Sequence, residues 1–228
     1  MAETVIAAMG KLLISRRIVG RPMAFACAAT IALTACGENS APGSRLSLRE
    51  TQSVLPDSTA VPGWRIAAPP AAYPAKKALS SGLTNCYTAE SCKNVLFSGR
   101  SVLREGGKPE ISFLIFTYQD AATAKSSYTP VWKAWTSRVP GARELNLGKI
   151  GDQNDAVSGA DASFASGSKS ILSQVRVGSV ILLTHGAAAP KMDMKDSLIK
   201  RFATMFSERA QQAQDSKAPS ASLRAAPQ

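Results

Sequence analysis

His185 is the only histidine in this chain of 228 residues, and that scarcity excludes much. A serine or cysteine nucleophile needs a base within hydrogen-bond reach, and the base is most often histidine. Ser173 and Ser179 stand near His185 in sequence, but the chain contains no G-x-S-x-G elbow to expose a serine at a strand–helix turn. His185 closes an apolar stretch, so we expect an ordinary strand-end residue without a catalytic role. Charge runs longer than two residues are absent although the net charge is +11, which argues against nucleic acid as a partner. No internal repeat is visible. Long apolar runs are missing too: the longest, Met23 to Ala35, is shorter than the about 20 residues that span a bilayer as a helix.

That short run has a particular setting. Lys11, Arg16, Arg17 and Arg21 precede it, and Leu33-Thr34-Ala35-Cys36 closes it. A basic start, a short apolar centre and a small-residue cleavage site make a secretory signal. The closing tetrapeptide resembles the lipobox of bacterial lipoproteins, where cleavage before the cysteine accompanies attachment of a lipid to its sulfur. We therefore expect residues 1–35 to be a signal peptide, with Met9 a candidate start, and Cys36 to be lipidated. The protein would then hang from the cell membrane on its extracytoplasmic face. Ser15-Arg16-Arg17-Ile18-Val19 also resembles a twin-arginine export signal, and the two export routes stay open. Residues 1–35 hold four of the 27 basic and one of the 16 acidic residues, which leaves 23 against 15, a net +8. Scattered charge of this kind suits a solvated surface near an anionic envelope.

Cysteine is sparse as well, with four in all. Cys27 falls within the signal and Cys36 takes the lipid, so Cys86 and Cys92 remain. An even number in an oxidising compartment reads as a disulfide. Metal ligation is the rival, but two thiolates with His185 as the sole imidazole make a poor zinc set, and no metal or other cofactor is expected.

From Cys36 onward the chain is long enough for one ordinary domain. Residues 36–45 read as a tether, 46–214 as the domain, and 215–228, rich in Ala, Ser, Pro and Gln, as a disordered tail. A helix is expected over Leu46 to Leu55, with Leu48, Thr51, Gln52 and Leu55 on one face and Pro56 ending it. Val61-Pro62-Gly63-Trp64 makes a turn with an aromatic anchor. Asn94 to Arg104 and Glu110 to Tyr118, separated by Gly106-Gly107, read as a hairpin. Asp120 caps a helix whose stripe is Ala121, Ala124, Tyr128, Val131, Trp132 and Trp135, with Pro130 interrupting it and Thr129 starting a second piece. Ile171 to Val177 and Val180 to His185 form a second hairpin, whose Gly178-Ser179 suits a type II′ turn. Met194, Leu198, Ile199, Phe202, Met205 and Phe206 share one face of a helix from about Asp193 to Gln214. Hairpins with helices between and after them point to an α+β domain: an antiparallel sheet flanked by helices.

Three tryptophans and four tyrosines supply the candidate ligand platform. Tyr128, Trp132 and Trp135 exceed what one short helix needs for docking, so we expect the ligand-binding surface there, with Lys133 and Arg138 nearby to meet an acidic group. The ligand would be an apolar or acidic envelope component. The rival is a small cell-wall hydrolase working through acidic residues such as Asp152 and Asp155. The same Gly151-Asp152-Gln153-Asn154-Asp155 segment alternates calcium-type oxygens but lacks the remaining ligands of an EF-hand loop.

Several segments in order strengthen the non-enzymatic reading. They are Val54-Leu55-Pro56, Val61-Pro62-Gly63-Trp64, Phe116-Thr117-Tyr118-Gln119-Asp120-Ala121, Leu147-Gly148-Lys149-Ile150-Gly151-Asp152 and Val175-Arg176-Val177-Gly178-Ser179-Val180. Over about Leu46 to Ala210 this layout resembles actinobacterial lipoproteins related to the extracellular sensor domain of mycobacterial serine/threonine kinases. The resemblance implies an antiparallel sheet flanked by helices, a cleft suited to a ligand and no enzymatic activity. Those sensors look to carry two disulfides, whereas only Cys86 and Cys92 are available here, and signalling across the membrane by this chain alone is not expected.

Overall fold

The computed structural model describes residues 44–80, 88, 90–161, 166–192 and 194–223. The chain divides into Met1–Glu38, outside the described residues, and Asn39–Gln228. In the second unit a seven-stranded sheet forms from β1 (Arg65–Pro74), β2 (Phe97–Arg104), β3 (Glu110–Thr117), β4 (Arg143–Glu144), β5 (Gln153–Ala160), β6 (Lys169–Val177) and β7 (Val180–Ala188). Its order is β1-β2-β3-β7-β6-β5-β4, and all neighbouring pairs are antiparallel. The helices are α1 (Leu48–Val54), α2 (Ala75–Ser80), α3 (Ala121–Thr136) and α4 (Asp196–Gln214), with a 3-10 turn at Glu90–Cys92. The protein is thus an α+β domain on an antiparallel sheet.

Side-chain alternation assigns the two faces. Ile111, Phe113 and Ile115 of β3, with Val180 and Leu182 of β7, pack with Ile199, Phe202 and Phe206 of α4. Leu114 and Phe116, with Ile181 and Leu183, pack with Tyr128, Val131 and Trp135 of α3. The central strands are therefore apolar on both sides and read as nearly continuous hydrophobic runs. Both expected hairpins are present. Gly178 turns between β6 and β7 with φ +48°, the positive φ that a type II′ turn requires at its first central residue.

Local readings differ from expectation in several places. In α1 the buried positions are Thr51 and Val54, while Gln52 is exposed. Its start is set by a capping box in which Ser47 and Glu50 satisfy each other's backbone N–H. Pro130 does not interrupt α3, which runs unbroken past it. Proline removes one backbone donor there, but Val131, Ala134 and Trp135 continue the buried stripe beyond it. β1 was not expected: Pro69, Pro70 and Pro74 are poor strand residues, yet β1 is an edge strand, where proline is tolerated. Finally, 215–223 has contacts that a disordered tail would lack. Ala221 and Leu223 pack against the core, and Leu223 N donates to Ala60 O at 2.8 Å.

Candidate functional site

Helix α3 begins at Asp120, whose carboxylate accepts from Thr123 N at 2.7 Å. Two reciprocal bonds fix it to the sheet. The Tyr128 hydroxyl donates to Gln174 O at 3.1 Å, and Gln174 Nε2 donates to Tyr128 O at 2.8 Å. Both residues are buried, so each bond also prevents an orphaned polar group. Burial first, and then the Asp155 carboxylate, push the Tyr128 phenol well above its ordinary range.

The three aromatic residues expected to bind a ligand therefore divide. Tyr128 and Trp135 belong to the core, at 1% and 6% exposure. Trp132 is only partly buried and forms one wall of a cleft of about 550 Å³. The opposite wall comes from the sheet edge. There β4 pairs with β5 through two residues only, Arg143 with Ser158 and Glu144 with Val157. After Leu145 N bonds Ala156 O at 2.9 Å, the chain leaves the ladder.

Asn154 then holds the departing segment by its side chain. Its Nδ2 donates to Gly148 O at 3.1 Å and to Ile150 O at 3.2 Å. Asn146 Oδ1 accepts from Gly148 N at 2.8 Å. Gly148 has φ +76°, a backbone state that glycine adopts readily. Glu144, Asn146, Asn154 and Asp155 thus line the cleft with Trp132. Lys133, expected to join this site, instead borders a separate groove with Pro130 and Ala134; Arg138 is exposed and is not among the cleft's lining residues.

Asp152 and Asp155 have different partners. Asp152 Oδ2 accepts from Gly178 N at 2.8 Å and from Arg176 Nη1 at 2.9 Å, which ties it to the β6–β7 turn. Asp155 lines the cleft. Among the described residues no group of three or more His, Cys, Asp or Glu side chains could hold a metal ion.

His185 has neighbours that its sequence position did not disclose. Strand pairing brings Ser170 Oγ to 2.7 Å from Nε2 and Asp161 Oδ2 to 3.4 Å from the same nitrogen. A serine–histidine–carboxylate relay uses the two ring nitrogens separately, whereas here both contacts fall on Nε2. Ser170 is also buried, at 1% exposure. Ser173 lies on the opposite face of the sheet, since Leu172 is the residue that pairs with His185. Ser179 Oγ donates to Ser44 O at 3.0 Å.

Cys36 and Cys86 lie outside the described residues. Cys92 ends the 3-10 turn packed beside α3 and is buried. Non-reducing peptide mapping of the full protein is expected to show one Cys86–Cys92 cross-link. A short closed loop of this size would contribute about 2 kcal/mol in the chain-entropy picture. Alkylation of both thiols without reductant would contradict it.

No protein-family model matches the chain, and no match is found among curated proteins. Among solved structures, the fold is similar to the crystal structure of the extracellular domain of PknH from Mycobacterium tuberculosis. The TM-score is 0.49 at 8% identity, over 77% of this chain and 100% of that one. No residue role comes across at that level of likeness.

Proposed function

We propose that this protein is a membrane-anchored, extracytoplasmic domain that binds a ligand or envelope partner and is not an enzyme. The observation that carries the binding reading is the cleft between Trp132 and the departing edge of β5. Its lining is mainly polar, with the Trp132 indole as its aromatic wall, and convergent polar groups of this kind fix the orientation of a ligand. The anchoring rests on Leu33-Thr34-Ala35-Cys36 after its basic and apolar segments. The hydrolase reading is the weaker one, because Asp152 is engaged at the β6–β7 turn, away from Asp155, and the two carboxylates that line the cleft, Glu144 and Asp155, are exposed and do not form a buried pair.

Native mass spectrometry of the full protein drawn from its own membrane tests the binding reading. A non-covalent adduct lost in Trp132→Ala is expected; apoprotein alone would count against it. Anchoring is tested by Cys36→Ala, which should leave the membrane fraction or stay unprocessed. Unchanged size and fractionation would contradict the lipid.

A further inference from the structure

The cleft beside Trp132 has a mixed charge that narrows its ligand. Glu144 and Asp155 bring two carboxylates to its lining. Two cations belong to the same region, Arg176, which is paired with Asp152, and Lys200. The Tyr128 hydroxyl lies within the influence of both Asp155 and Arg176, and Lys200 Nζ stands 3.5 Å from where a Cβ on Gly148 would lie. An acidic head group would meet the two carboxylates. A protonated amine would find their field offset by the cations. An acyl chain would strip water from carboxylates and amides and return no hydrogen bonds, which is costly.

The two amides are already oriented. Asn154 spends its Nδ2 on two carbonyls, which leaves Oδ1 as its acceptor. Asn146 spends its Oδ1 on Gly148 N and keeps the Nδ2 donors. Fixing these groups in advance lowers the ordering cost of binding. The lining therefore offers a flat apolar face, carboxylate acceptors, one amide acceptor and one amide donor.

We propose that this cleft binds a neutral, hydroxyl-rich ligand of the saccharide class. The apolar face of a sugar ring lies against the Trp132 indole. Its hydroxyls donate to Glu144 and Asp155, in charge-assisted bonds stronger than neutral ones, and exchange bonds with Asn146 and Asn154. The inference rests on the ligand-binding reading above and gives that site its chemistry.

The test is tryptophan fluorescence titration of the purified full chain with four neutral trisaccharides: maltotriose, cellotriose, mannotriose and chitotriose. Laurate, trigalacturonic acid and the triamine of glucosamine serve as apolar, acidic and cationic probes. At least one neutral trisaccharide should bind saturably. Trp132→Ala should weaken it about tenfold or more, and Glu144→Gln several-fold, as expected for losing one stacking face or one charge-assisted bond. Glu144 is exposed, so that variant should keep the wild-type urea midpoint and separate binding from folding. Failure of all four to bind overturns the inference, as does binding that ignores both substitutions. Binding of only laurate, the acid or the amine, lost in Trp132→Ala, also overturns it while leaving the ligand-binding reading in place. That broader reading fails separately, when the membrane-derived protein carries no adduct.

Discussion

Phe202→Ala is expected to cost about 4 kcal/mol of folding free energy, near the middle of the range for a buried phenylalanine truncated to alanine. Phe202 is fully buried on α4. Its ring meets Trp64 edge-on at 5.4 Å between centroids and Phe113 at 5.5 Å. It therefore joins the turn before β1, the centre of β3 and the last helix in one contact set. Truncation leaves a void between three elements that cannot all close on it, and both aromatic pairs are lost. For a domain of this size the midpoint temperature should fall by roughly 10 °C. Phe202→Leu keeps most of the volume and should lose about 1.5 kcal/mol. Calorimetry of the two variants checks the pair. A loss below about 1 kcal/mol for the alanine would mean that this junction is not a packing centre.

Arg209→Met should cost about 3 kcal/mol, by a different route. Arg209 occupies the buried stripe of α4, at 7% exposure. Its Nε donates to Val54 O at 2.9 Å, Nη2 to Ser53 O at 2.8 Å and Nη1 to Ala221 O at 3.1 Å. The first two are carbonyls at the C-terminal end of α1, which have no partner within the helix. A cation there also suits the negative end of the helix dipole. Burial draws the guanidinium below its usual range, and the nearby Asp57 carboxylate opposes that.

Methionine retains the apolar stem and abandons three carbonyls, each costing about 1 kcal/mol when left unpaired. Because the third bond holds 221, proteolysis of the C-terminal segment should accelerate in the same variant. Arg209→Lys should fall between the two, since an ammonium cannot fork to three separated acceptors. Urea denaturation with limited proteolysis measures both effects. Wild-type stability with an unprotected tail would separate the segment from the core.

Arg209 marks the boundary of what can be read from residue order. The apolar face of α4 is visible through Ile199, Phe202 and Phe206, all spaced for one side of a helix. Arg209 lies on that same face, but periodicity counts an arginine as solvent-facing. Only the convergence of α1 and the C-terminal segment gives its donors buried acceptors. The two hairpins are legible for a simpler reason. Gly106-Gly107 and Gly178-Ser179 are local turn chemistry between apolar runs, and they need nothing from the rest of the fold.

β1 shows the opposite case. Its alanines and prolines carry no strand pattern, and it is a strand because β2 offers an edge. β5 was hidden likewise, since Gln153, Asn154 and Asp155 look like a turn and become extended by pairing with β6.

The candidate site divides along the same line. The stripe Tyr128, Val131 and Trp135 is a helical face and was visible as one. Which aromatic meets solvent was not visible, because Trp132 differs from its neighbours only by about 100° of rotation around the helix axis. The residues facing it come from 144–148 and 154–157, and no local signal links those segments to α3. His185 followed the same pattern, gaining Ser170 and Asp161 through strand pairing alone.

The most direct measurement is fluorine NMR of protein labelled with 5-fluorotryptophan, compared as isolated from its own cells and after stripping of bound small molecules. Its three tryptophans occupy distinct surroundings, with Trp64 against Phe202, Trp135 in the core and Trp132 on the cleft wall. Cleft binding predicts that the Trp132 resonance moves on stripping and returns on adding back the extract, while those of Trp64 and Trp135 hold still. A Trp132 signal identical in both states, or a response confined to Trp64 or Trp135, would contradict it.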